Sequence, residues 1–336
     1  MTCRETAAAL VAGLLVFVGA AQAGGIASKP SVGPGKYLLE LDGQVCGYVS
    51  EPEGGHAVAD VLLEKRVGND RPKKHLGKVR YEEVTLAAGT GLCDGFYKWV
   101  QDSFGPRTPN NTGRRNGAVV RTDNVLNVLE RMTFTNALVT EVGMPALDAT
   151  SQAAAKMTVK FKPERTSRLK GSGKLAFASN ANQQKQWTLG SFRLTGAKRL
   201  TTALSNVSKL EALTVKQRVT ENPVGDLRDY EKEPASMETP NLVVTVAESH
   251  ASEFYSWHED FVVNGNCGDV KEETFAIQYL ERTGQTVLFE LTLRGAGIFK
   301  VAPDKVGTCQ TCSRGIKAEM YSEDVKFTYS PAATLR

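Results

Sequence analysis

Short alternating stretches dominate the pattern of apolar and polar positions. "KYLLELDG" runs extended into Asp42-Gly43, a hairpin signal. "VADVLLEKRV" and "KVRYEEVTL" are rich in branched and aromatic residues and read as strands. "GLCDGFYKWVQDSF" differs, because Leu92, Phe96, Trp99 and Val100 recur at helical spacing and predict a short amphipathic helix. Strands resume in "AVVRTDNVLNVLE", broken by a turn at Asp123-Asn124, and in "RMTFTNALVTEV" and "AAKMTVKFKPE".

"RTSRLKGSGKLAFASNANQQ" has no clear period and reads as a solvated linker with one short strand at most. A flexible chain of that length spans about 25 Å. From Trp187 the pattern restarts. "WTLGSFRLTG" and "KLEALTVKQRVT" are extended, "NLVVTVAESHASEFYSWHEDF" is strand then short helix, and a hairpin turns at Thr283-Gly284.

Phe-Tyr-x-Trp therefore occurs twice, at Phe96 and Phe254, 158 residues apart. Glu130 and Glu290 are 160 apart, and Thr133 and Thr292 are 159 apart. Val-Lys-Phe recurs at Val159 and Val325, an offset of 166. The conserved order implies a tandem duplication, with an insertion of about seven residues expected near "VGTCQTCSRG". Phe96 with Trp99, and Phe254 with Trp257, then read as core aromatics on one face of a helix rather than a ligand platform. The expected organisation is a signal peptide over 1–23, a leader over 24–35, domains over 36–164 and 187–331, and a linker over 165–186.

The signal rests on "AAALVAGLLVFVGA" followed by Ala-Gln-Ala at 21–23, a small-x-small cleavage pattern. The apolar run is shorter than the about 20 residues a spanning helix needs. The mature chain is expected in the periplasm or medium, with no membrane contact after cleavage. Export places Cys46, Cys93, Cys267, Cys309 and Cys312 in an oxidising compartment. Five is odd, so at least one is free or pairs outside the chain. A disulfide among Cys267, Cys309 and Cys312 is favoured over a metal site with His258, because one Cys-x-x-Cys is half a zinc signature. Cys46 and Cys93 are a second candidate pair.

The 336 residues, 41% hydrophobic and 23% charged, are ordinary globular composition for about two domains. A net charge of +4 gives no warrant for a nucleic-acid partner. Four histidines, His56, His75, His250 and His258, stand outside any nucleophile motif. No phosphate-cradling glycine loop or HExxH occurs. Glu82-Glu83 and Glu272-Glu273 are adjacent in extended segments, so their side chains diverge. No catalytic residue, cofactor or metal is expected.

The first copy resembles the tail tube protein family of contractile phages and related injection systems. The similarity lies in Gly77 to Leu86, Phe96 to Val100, Arg115 to Glu130, Phe134 to Ala137, Pro145 to Ala149 and Met157 to Glu164. It covers Lys36 to Glu164, and the second copy matches through its likeness to the first. The resemblance implies a mainly β protein with short helices, made of two tandem antiparallel β-barrel or sandwich domains. It also implies a non-enzymatic subunit that self-associates into sixfold rings, which stack as a tube. With two domains per chain, three chains would close a pseudo-sixfold ring. The alternatives are a secreted binding module that does not polymerise, and a thiol or metal protein acting through the Cys-x-x-Cys loop.

Overall fold

The computed structural model describes residues 35–66, 69–106, 108, 111–176, 187–223, 230–304 and 314–330. The expected signal peptide over 1–23, Cys309 and Cys312 lie outside them.

β1 (Lys36–Leu41) and β2 (Gln44–Gly54) form a hairpin whose turn residues, Asp42 and Gly43, have φ of 49° and 84°. Two positive φ values match the twist of the flanking strands, and Gly43 adopts its value without steric cost. β3 (Ala57–Arg66) and β4 (Asn69–Tyr81) make a long, separate two-stranded hairpin. β5 (Val84–Ala88) leads into α1 (Asp94–Ser103), followed by Gly105-Pro106. Then come β6 (Arg114–Thr122), β7 (Val128–Met144), the two-residue β8 (Leu147–Asp148), β9 (Met157–Lys162) and β10 (Arg165–Lys170).

The order β7-β6-β1-β2-β5-β9 closes on itself through β7–β9 pairing, giving a six-stranded barrel. Closure removes the open edges that invite association. Alternation explains which residues fill it: β9 reads B-i-B-i-B-i, with Met157, Val159 and Phe161 fully buried. Phe161 meets Phe134 at 4.8 Å and Trp99 at 5.3 Å between ring centroids.

The second copy repeats the order. It comprises β11 (Trp187–Thr195), α2 (Thr201–Leu204), β12 (Val207–Leu210), the hairpin β13 (Leu213–Pro223) and β14 (Tyr230–Glu238), and β15 (Leu242–Ala247). It continues with α3 (Ser252–His258), β16 (Glu273–Glu281), β17 (Val287–Pro303), β18 (Gly315–Tyr321) and β19 (Asp324–Tyr329). Its sheet runs β11-β16-β17-β18-β15-β12-β8, a nearly closed seven-stranded barrel. The protein is thus mainly β, with two antiparallel barrels and a few short helices.

Two expectations need correcting. The segment 165–175 is not linker. β10 continues β9 along β7 in unbroken register, from Arg165↔Thr135 to Lys170↔Glu130. Beyond it Lys174 bridges Asn127, and Leu175 packs on Ala118, Val120 and Val128. Backbone pairing holds this polar stretch, so composition alone misreads it. The expected insertion is also absent. The stretches 145–156 and 304–314, between equivalent strands, differ by one residue. Val159 lies opposite Val142, whereas Val325 lies opposite Leu293. The register counterpart of Val159 is Ala318, opposite Val301, so the Val-Lys-Phe match was coincidental.

Candidate assembly interface

The two barrels exchange strands. β7 carries β6 on one edge as far as Leu138. Farther along, β13 of the second copy pairs with β7, from Leu213↔Met144 to Lys216↔Glu141. Leu213 and Val215 are buried there, beside buried Val142 and Met144. Gln217 Nε2 donates to Ser103 O at the end of α1, at 3.3 Å. Ion pairs hold the rest of the hairpin. Lys162 lies 2.7 Å from Glu221, and its ammonium holds that carboxyl below the usual carboxylate range. Arg114 reaches Glu231 at 3.6 Å and donates to Lys232 O.

In return, the first copy completes the second barrel. Leu147 and Asp148 pair with Leu210 and Lys209 of β12. Farther on, Ala154 bridges Thr188, and Ala155 N donates to Trp187 O at 3.0 Å. This short segment spans the gap between β11 and β12. Thr150, through its hydroxyl and its amide, and Lys209 pull the Asp148 carboxyl down to about 2. Lys209 Nζ is 2.9 Å from it.

α1 lies at the same junction. Tyr97 stacks on Tyr329 of β19, centroids 4.5 Å apart, and Tyr329 Oη donates to Asp94 Oδ1 at 2.7 Å. Burial pushes the Tyr97 phenol up, so it stays a donor, to Gly89 O at 2.6 Å. Phe96 and Trp99 face the first barrel and are fully buried, as Phe254 and Trp257 are in the second. These pairs differ in a polar contact. Trp99 Nε1 donates to Gly113 O at 2.8 Å, while Trp257 Nε1 is buried with no partner among the described residues.

Cys46 of β2 and Cys93 at the start of α1 form a disulfide, and Cys267 is exposed and has no disulfide partner among the described residues. Among the described residues, no group of three His, Cys, Asp or Glu could hold a metal ion, and no helix is long and apolar enough to cross a membrane. His75 pairs with Glu64 at 3.0 Å on the β3–β4 hairpin, and His56 stands 3.4 Å from Arg168. A cleft of about 780 Å³ opens beside α3, lined by Arg199, Glu253, Trp257 and Asp260 among others. Arg199 spans Asp260 and Glu273 there, and Glu253 accepts from the Thr202 and Ala203 amides, so these charged groups already have partners within the chain. The interface was not visible in the sequence, because strand addition is made by backbone groups that every residue carries.

A family model for the T4-like virus tail tube protein gp19 matches residues 36–167. Similar solved structures include the cap that terminates the anti-feeding prophage tube, 19% identical with a TM-score of 0.37, over 45% of this chain and 99% of that one. The extended sheath–tube complex of an extracellular contractile injection system, PVC, is 18% identical with a TM-score of 0.34, over 40% and 88%. Hcp1 from Flavobacterium johnsoniae is 11% identical with a TM-score of 0.25, over 41% and 95%. No curated protein matches the chain.

Proposed function

We propose that this chain, whose residues 36–167 match the family model for the T4-like virus tail tube protein gp19, is a non-enzymatic building block that is exported and self-assembles into rings or tubes. The observation that carries the reading is the addition of β13 to β7. The second copy binds the first barrel through its hairpin β13–β14, and here the two units are joined in one chain. Three chains would supply six barrels and close a pseudo-sixfold ring, a head-to-tail arrangement that ends rather than growing sideways. Export is supported by the apolar run before Ala21-Gln22-Ala23. A second reading, a secreted binding module, is favoured only by the cleft beside Trp257.

Light scattering of the mature protein should show a species near three times the chain mass, or stacks of it, and electron microscopy should show rings. A monomer that persists to about millimolar concentration, where linked or neighbouring sites normally associate, would overturn assembly and leave the binding module.

A further inference from the structure

We propose that the second barrel carries an open seat, made of the β17 edge Gly297–Pro303 and the exposed Tyr255 of α3, that takes the β3–β4 hairpin and β10 of another copy of this chain; this rests on the assembly reading above.

The two long strands β7 and β17 correspond at an offset of 159 residues, and burial along them agrees from Met132 with Leu291 to Val139 with Ile298. It then diverges. Thr140, Val142 and Met144 are buried, while their counterparts are open: Phe299 is 39% exposed, Val301 is partly buried and Pro303 is exposed. The divergence begins where β13 joins β7. On β17 the residues Gly297–Pro303 pair with β18 on one side. Among the described residues no strand pairs with their other side. An unpaired edge beside half-covered apolar side chains is a template for strand addition.

The helices show the same asymmetry. Tyr97 is fully buried against Tyr329 of β19. Its counterpart on α3, Tyr255, is 43% exposed. The strand equivalent to β19 is β10, which belongs to the first barrel and bears exposed Leu169. A second chain would bring both missing parts together, since its β10 and its β3–β4 hairpin sit on one barrel.

That hairpin has the face such a seat needs. Directly opposed residues share a face, and here Ala57 opposes Tyr81, Ala59 opposes Val79, and Val61 opposes Leu76. Leu63 continues the row opposite Lys74, while Val58 and Leu62 fall on the other face. The first face is mostly apolar yet open, with Leu76 73% exposed. The other face carries Asp60 with Arg80 and Glu64 with His75. A two-stranded hairpin is marginal alone in water, and its counterpart, β13–β14, already rests on a barrel edge in this chain. Lys78 of β4 reaches over the Tyr230 ring of β14, but the apolar face stays open, so one chain has one filled seat, one empty seat and one hairpin with an uncovered face.

The test uses two double variants of the mature chain. Leu63→Asp with Leu76→Asp spoils the hairpin, and Tyr255→Asp with Phe299→Asp spoils the seat. All four residues are exposed, and circular dichroism checks folding. Each variant alone should be monomeric where the wild type forms rings. An equal mixture should give a species of twice the chain mass, because one intact hairpin meets one intact seat. Rings that survive both variants would overturn this seat, leave the assembly reading standing and assign the hairpin to another occupant. A wild type that stays monomeric would overturn both, and a mixture of folded variants that stays monomeric would overturn the pairing. Hydrogen exchange checks the wild type without substitution: amides of Gly297–Val301 should exchange at least about ten-fold more slowly in rings than in dilute monomer, and equal rates would overturn the proposal.

Discussion

Asn136 and Gly295 hold the same left-handed bend in the two barrels, 159 residues apart, with φ of 48° and 58°. Each precedes a fully buried alanine, Ala137 or Ala296, where the long strand turns its side chains toward the core. A side chain in this region costs about 1–2 kcal/mol, least for Asn. Gly295→Val should therefore lose roughly that amount and Gly295→Asn clearly less, by urea unfolding. A Cβ at Gly295 would also meet Glu323 Oε2, Cγ and Cβ at 2.8, 2.9 and 3.0 Å, a packing cost that Val and Asn share. Equal losses for Val and Asn would show that packing, not backbone conformation, fixes the residue.

The two core tryptophans should separate on removal of the ring nitrogen. Trp99→Ala and Trp257→Ala should each cost about 3–5 kcal/mol, as buried aromatics do. Trp99→Phe also breaks the bond to Gly113 O and leaves that acceptor unpaired. Trp257→Phe removes a buried donor that has no partner among the described residues, and an unmade buried hydrogen bond is itself a cost of about 1–3 kcal/mol. The Phe substitution should be milder at 257 than at 99 in denaturant melts. The reverse order would mean that the Trp257 nitrogen is satisfied in solution.

The Cys46–Cys93 disulfide ties the first hairpin to the start of α1 across 47 residues. A closed loop of that size restricts the unfolded chain, and native bridges commonly contribute about 2–4 kcal/mol. Cys46→Ser with Cys93→Ser should lower the unfolding midpoint accordingly, and a reductant should do the same to the wild type but not to the variant. A reductant effect of equal size in both would point to a different bridge.

Much of the fold was legible because barrels need alternation and helices need a three-to-four spacing. Thr133 with Thr292 and Phe96 with Phe254 marked true equivalents, since each sits at an element whose period is unmistakable. Val159 with Val325 failed for the same physical reason that the others worked. A period-two strand code is short and degenerate, so Val-x-Phe can recur in strands of different register. The polar run at 165–175 failed because its strand is held by main-chain bonds to β7 and exposes most side chains. The exchange of Leu213 and Leu147 between barrels was invisible, since an apolar residue in a strand does not state whose core it enters.

Acid should loosen the exchanged segment. Thr150 and Lys209 lower the Asp148 carboxyl from 3.8 to about 2. A depressed carboxylate contributes stability that is fully present above its unfolded value and lost as pH falls through the folded one. The contribution should thus be intact at pH 5 and above, and fade from about pH 4 to pH 2. Protection of amides around Ala149 and Ala155 should fall over that window, and Asp148→Asn should remove this dependence. A wild type and variant with the same acid profile would place the linkage elsewhere. Asp148 is largely solvated, so the effect on global stability should be small.

The reciprocal strands make a last claim about cooperativity. Two domains joined by a simple linker usually unfold separately, and their interfaces resemble transient contacts. Here the second copy supplies Leu213 and Val215 to the first barrel, and the first supplies Leu147 to the second, all of them buried. One continuous apolar cluster contains Phe96, Trp99, Phe254 and Trp257 together. Unfolding either barrel alone would strip the other of a strand and expose part of its core. The penalty for an intermediate would include several buried leucines or valines, each worth about 1.5–3 kcal/mol. Calorimetry of the monomeric protein should therefore show one transition, with calorimetric and van't Hoff enthalpies in agreement. Leu213→Ala, a change in the second copy, should lower that single transition by about 2–5 kcal/mol and raise exchange at Val142 and Met144 in the first. Two resolved transitions, of which Leu213→Ala moves only the one belonging to its own barrel, would mean that the exchanged strands are peripheral and that each barrel is stable alone.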